Sequence, residues 1–169
     1  MDVIFHGMPP GTSISESVVD GRRRTDVTFG GHWSGSYLGL PFVSLGRGRG
    51  GLDCYGLVRL VLAEERGITL PSYTEAYASV GERAEIAAAL SGAIAQRTWR
   101  EVLHRHEQPF DVALFSVFGR PLHVGVVVRP GLMLHVSDGH DSRIDDYRAP
   151  TWAARLIAIY RHEALCPSS

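Results

Sequence analysis

What this chain has little of narrows its work before any motif is read. It has two cysteines, Cys54 and Cys166, far apart, so there is no disulfide framework, although a single bridge stays open. No stretch approaches the roughly 20 apolar residues of a membrane-spanning helix. The formal net charge is −1, which removes the electrostatic case for nucleic acid or an anionic membrane surface as partner. The N-terminus has no basic segment followed by an apolar one, and no secretory signal is expected. No close Cys/His spacing marks a closed zinc site. His104-x-His106 and His140-Asp141 read as surface groups, and neither a metal nor an organic cofactor is expected.

What is present suits an ordinary globular domain. The 169 residues are 44% hydrophobic and 21% charged, enough to bury a real core. Residues 1–34 differ from the rest, with Met8-Pro9-Pro10-Gly11, a basic run Arg22-Arg23-Arg24 and room for short strands such as Val27 to Phe29. They read as an N-terminal arm or hairpin, either a solvated extension or a docking segment whose arginines pair carboxylates on a partner. Residues 35–163 form the main domain and 164–169 a tail, where Cys166 is expected to be a free, frayed thiol.

Within the main domain the periodicity changes once. The spacing predicts a helix after Asp53, with Leu57, Val58, Leu60, Val61 and Leu62 on its buried side, Asp53 as N-cap and Gly67 as C-terminal stop. Residues 68–80 read as a loop, and a second, covering helix is expected over 82–96. Beyond Trp99, strands are expected at Val112–Val117, Leu122–Val128, Leu132–Val136, Arg143–Tyr147 and Arg155–His162, with turns at Pro130-Gly131 and Asp138-Gly139. Helices followed by a run of antiparallel strands make an α+β fold.

The helix start carries the chemistry. Cys54 falls in its first turn, beside the positive end of the dipole, and reads as a nucleophile whose pKa the dipole would lower. Gly46-Arg47-Gly48-Arg49-Gly50-Gly51 lacks the Lys-Ser or Lys-Thr of a phosphate-binding loop; it reads as backbone passing tightly over the helix mouth. A thiol nucleophile needs a base, and the base needs an orienting group. His123 and His135 sit on adjacent predicted strands of one hairpin, so their imidazoles can share a face. His123 would then take the proton from Cys54, its imidazolium further lowering the thiol pKa, while His135 fixes the His123 ring. Taken singly, each residue has a blander reading: a buried cysteine filling core, a half-buried histidine satisfied at a strand end.

Leu40-Pro41-Phe42, Gly51-Leu52-Asp53-Cys54-Tyr55-Gly56-Leu57-Val58, Phe110-Asp111-Val112-Ala113-Leu114-Phe115, His123-Val124-Gly125-Val126 and Met133-Leu134-His135 occur in this order. Together they resemble the NlpC-type papain-like peptidases of bacterial cell walls over roughly Tyr37 to His162. The resemblance implies helices packed on an antiparallel sheet, and a triad of Cys54 as nucleophile, His123 as base and His135 as orienting group. It implies hydrolysis of amide bonds in peptidoglycan stem peptides. Asp53 to Arg59, followed by Glu65 to Pro71, is most similar to the branch found in tail proteins of phages and gene transfer agents. That branch implies a virion or phage-like tail or baseplate component, partnered by hub proteins and made in the host cytoplasm. Three positions depart from the family pattern: Phe42 in place of a tyrosine, Tyr55 in place of a serine, and Phe110-Asp111 in place of Gly-Asp. Phe42, Asp53 and Tyr55 are expected around the substrate and the oxyanion hole. The alternatives are a tail structural protein that keeps the fold with little activity, and an intracellular thiol amidase or acyltransferase.

Overall fold

The computed structural model describes residues 12–19, 22–29, 31–71, 98–103 and 105–167. The helix expected over 82–96 lies outside the described residues, as do most of the loop 68–80 and His104. The chain divides into two compact units after Leu38. In the first, strand β1 (Thr12–Val19) pairs antiparallel with β2 (Arg22–Phe29), in register from Thr12 opposite Phe29 to Val19 opposite Arg22. The strand expected at Val27 to Phe29 is the end of β2.

The second unit opens with two short paired strands, β3 (Arg47–Gly48) and β4 (Gly51–Leu52), that lead into helix α1 (Cys54–Arg66). The helix begins where predicted because the Asp53 carboxylate accepts from the Gly56 amide at 2.6 Å, satisfying one of the free first-turn donors. It ends where predicted because Gly67 turns left-handed, at φ 66°, and returns its amide to the last turn. Leu57, Val58, Val61 and Leu62 are buried, and this face lies against the strands numbered β7 and β8 below.

Those strands belong to one six-stranded antiparallel sheet. Its members are β5 (Trp99–Glu101), β6 (Val112–Val117), β7 (Arg120–Arg129), β8 (Leu132–Ser137), β9 (His140–Asp146) and β10 (Leu156–His162), in the order β5-β10-β6-β7-β8-β9. A single-turn helix α2 (Pro150–Ala153) links β9 to β10. Four of the five expected strands extend further or shift by a few residues, and the three-residue edge strand β5 was not anticipated. Ala113, Phe115, Val127, Met133, Tyr147 and Ile159 form a core cluster of the sheet, with Trp152 of α2 packed on it. Each large apolar side chain so buried contributes about 1.5–3 kcal/mol. The fold is therefore α+β, as the order of elements predicts.

Two residues at the start of β6 show how the sheet is fastened. Asp111 is completely buried and accepts from Arg161 of β10 at both oxygens, Nε and Nη2 each at 2.8 Å, and from the Gln108 amide at 2.7 Å. Phe110, where the resembled family carries glycine, holds φ 75°, a left-handed conformation that costs a residue with a Cβ about 1–2 kcal/mol. The Arg66 guanidinium, 5.2 Å from the Phe110 ring centre, supplies a compensating cation–π contact.

Arg161→Ala would leave the Asp111 carboxylate buried without its fork. We expect a loss of about 3–5 kcal/mol in urea unfolding, the range for breaking one partner of a buried pair. A loss under about 1 kcal/mol, the worth of an exposed pair, would show that this contact does not fasten the sheet.

Candidate active site

The glycine-rich approach folds back over the mouth of α1. Phe42 bridges to Leu52, and the Gly46 carbonyl lies so close to Gly56 that a Cβ at Gly56 would collide with it. The same carbonyl accepts from Arg47 Nη1 at 2.8 Å, and that guanidinium pairs with Asp53 at 2.6 Å. The run thus serves close approach of backbone to helix, as its composition predicts, and Cys54 stays partly accessible beneath it.

Cys54 differs from expectation in its charge. Its sulfur is within reach of the Val124 and Tyr55 amides, which favour a thiolate, and Arg47 adds a little more. Burial outweighs them, and the neighbouring Asp53 carboxylate works with burial, so the thiol is pushed up to about 11. The lowered thiol pKa expected from the helix dipole is thereby overturned. His123 mirrors it: burial, then the facing His135, bring its pKa down to about 3. At rest the site holds a thiol and a neutral imidazole.

The two histidines meet as their hairpin spacing suggests. His123 Nε2 lies 3.1 Å from His135 Nδ1, with the rings nearly perpendicular at 84°. Gly125 makes room on that face: a Cβ there would fall 2.8 Å from Met133 Sδ and 3.3 Å from His135 Cβ. Register shifts adjoin both residues, between Phe115, the partner of His123, and Ser116 on the β6–β7 ladder, and between His135 and Ser137 on the β8–β9 ladder. Bulges of this kind re-aim side chains beside functional sites.

Residues unread in the sequence complete the group. His135 is fully buried and its Nε2 lies 2.9 Å from Asp145 Oδ2. The same oxygen accepts from Trp152 Nε1 at 3.2 Å, and Arg143 Nε is 3.3 Å from both carboxylate oxygens. Burial works to raise the Asp145 carboxyl, but the bond from His135, then that from Trp152 and the charge of Arg143, hold it below its ordinary value. Trp152 also stacks on His123, centroids 5.2 Å apart and planes 25° off parallel, and meets His135 edge-on at 4.9 Å. The available signals were faint: Asp145 keeps the strand parity of Arg143, which lies opposite His135, and Pro150 marks the first turn of α2.

A cleft of about 770 Å³ opens on this group, with Phe42, Asp53, Cys54, His123, Arg143 and Trp152 among its walls. His135 lies behind it. Phe42 and Asp53 line the cleft, whereas the Tyr55 side chain does not. Its side chain is buried and donates to the Pro71 carbonyl at 3.1 Å, while its backbone amide reaches the Cys54 sulfur. His140 is exposed, and Cys166 closes a 3-10 turn capped by His162 rather than hanging free of structure. Among the described residues no three His, Cys, Asp or Glu side chains are grouped to hold a metal, and no helix is long and apolar enough to cross a membrane.

Known proteins share this architecture. The profile of the NlpC/P60 family matches residues 39–161. The NlpC/p60 domain of the peptidoglycan hydrolase SagA is similar at a TM-score of 0.50 and 19% identity, covering 76% of this chain and 92% of that one. A Staphylococcus aureus Mu50 protein described as similar to a lipoprotein of the NLP/P60 family gives 0.54 and 21%, over 77% of this chain and 39% of that one. A Bacillus cereus NlpC/P60 family protein gives 0.54 and 22%, over 75% and 36%. The chain thus spans well under half of the latter two proteins, and at these identities the likeness is one of fold. No curated protein matches the chain.

The resting charge state has a direct readout. In a Cys166→Ser background, iodoacetamide should alkylate Cys54 slowly at neutral pH, the rate rising about tenfold per pH unit until it levels near 11. A rate already independent of pH around neutrality would reveal a preformed thiolate and overturn this account.

Proposed function

The chain belongs to the NlpC/P60 family, whose members are cell-wall cysteine peptidases, and we propose that it hydrolyses amide bonds in peptidoglycan stem peptides. One observation carries the reading: Cys54, at the start of α1, and His123, tied to His135, line a single cleft.

The chemistry follows from that placement. His123 Nε2 is engaged by His135, leaving Nδ1 to take the proton from Cys54 Sγ as the sulfur attacks the scissile carbonyl carbon. His123 then returns this proton to the departing amine nitrogen as the C–N bond breaks and a thioester remains on Cys54. Water, deprotonated by His123, attacks the thioester; the acyl fragment leaves as a carboxylic acid and the thiol is restored. Because Phe42 brings no hydroxyl to the cleft, the developing oxyanion depends on the Cys54 amide and a further donor rather than on a tyrosine. Making the charged pair only when substrate is bound suits a site whose burial disfavours both charges.

The setting we propose is the tail or baseplate of a phage or phage-like particle, assembled in the host cytoplasm, where a local cut in the wall assists penetration. Residues 1–34 would be its docking arm toward hub proteins. The support is the form of Asp53 to Arg59 with Glu65 to Pro71. These two stretches meet in the fold: Tyr55 donates to Pro71 and Arg59 Nε donates to the Leu70 carbonyl at 2.9 Å.

Purified protein incubated with peptidoglycan sacculi should release stem-peptide fragments detectable by mass spectrometry. Cys54→Ala should abolish release while its thermal melt stays within a few degrees of the parent. Fragments that persist in Cys54→Ala would remove Cys54 as the nucleophile, and none from either protein would leave the chain an assembly component.

A further inference from the structure

The proton path is under-determined by cysteine and two histidines alone. A neutral imidazole carries one N–H and one lone pair, and either nitrogen can hold the proton. If His123 carried its proton on Nδ1, the nitrogen left to receive the thiol proton would be the donor and not the base. Something outside the pair has to choose.

We infer that Asp145 is a positioning residue that makes this choice through His135. A carboxylate only accepts, and every group that meets Asp145 is a donor: Trp152 Nε1, Arg143 Nε and, at 2.9 Å, His135 Nε2. The proton of His135 is therefore on Nε2, and its Nδ1 is a lone pair. That lone pair, 3.1 Å from His123 Nε2, requires a hydrogen there in turn. His123 is left with an unprotonated Nδ1. One half-buried carboxylate thus fixes two rings in series, and Trp152 and Arg143 hold the carboxylate in place. When His123 gains a second proton, the same chain carries a negative charge toward the new imidazolium.

The titratable and charged groups facing the two rings are Cys54 of α1, Arg143, Asp145 and His140 of β9, and Arg155 after α2. Of these, Asp145 is the group hydrogen-bonded to His135 as a permanent acceptor. Burial keeps His135 below its ordinary pKa, which agrees with a neutral ring between the other two.

The role rests on the peptidase reading, but its test does not. Asp145→Asn keeps the shape and can present an N–H where Oδ2 now accepts. Nitrogen NMR of the imidazoles at neutral pH should find both rings protonated on Nε2 in the parent protein. In Asp145→Asn, both should move to Nδ1. With a synthetic stem peptide as substrate, kcat should fall about 10²- to 10⁴-fold with KM changed less than about threefold, the span of a misplaced general base. Unmoved tautomers would sink the inference. Moved tautomers with no hydrolysis even by the parent would leave Asp145 in this role and remove the peptidase reading instead. Should Asp145→Asn fail to fold, Trp152→Phe decides. It keeps a ring over His123 and removes one donor to Asp145. A loss of about fivefold in kcat, one hydrogen bond's worth, or in the alkylation rate of Cys54 supports the inference, and no change in either counts against it.

Discussion

Two imidazoles facing each other across 3.1 Å in a dry setting must be unlike: one donates and the other accepts. Two N–H groups or two lone pairs in that position would leave buried polar atoms unpaired, at about 1–3 kcal/mol for each. Much of the surrounding architecture answers to this requirement. Gly125 leaves room where a Cβ would crowd Met133 Sδ and His135 Cβ, and register shifts adjoin both ring-bearing positions. Trp152 roofs the pair and at the same time donates to the carboxylate behind it. The shape of the sheet around the two strands and the protonation of the rings are one problem with one solution.

Charge at this site is decided by burial more than by the helix that holds the sulfur. A helix terminus is worth about 0.3–1 kcal/mol to a nearby charge, less than the 1.36 kcal/mol of a single pKa unit. Excluding water from a thiol or an imidazole commonly outweighs that, and Asp53, needed as the cap of α1, sets a like charge beside any thiolate. The N-cap that makes the helix begin at Cys54 therefore opposes the thiolate that the helix end favours. Arg47, paired with Asp53 at 2.6 Å, moderates the conflict without reversing it.

What could be read from the residues followed rules that act over short range. The caps at Asp53 and Gly67, the apolar face of α1 and the alternation of the strands are all settled within a few positions. The His123–His135 pairing could be read for the same reason, since one hairpin joins them. Asp145 and Trp152 could not. Asp145 reaches His135 across a second hairpin whose register slips after His135, and Trp152 is carried there by a four-residue helix with no apolar period of its own. Cys54 faces the cleft, and one step around the helix turns the Tyr55 side chain by about 100°, here into the interior. The thiol's pKa misled because the dipole is visible in a sequence and desolvation is not.

The departures from the family pattern acquire a common meaning once placed. Phe42 stands in the cleft wall without a hydroxyl to donate. Tyr55 looks inward and fastens the chain beyond α1 through Pro71. Phe110 accepts a left-handed backbone that glycine would take freely, next to the buried Asp111 that pins β6 to β10. Of the three, Tyr55 meets the Cys54 sulfur through its backbone amide while its side chain bonds to Pro71. The variation thus falls on the cleft wall in front of the paired histidines and on the scaffold around them.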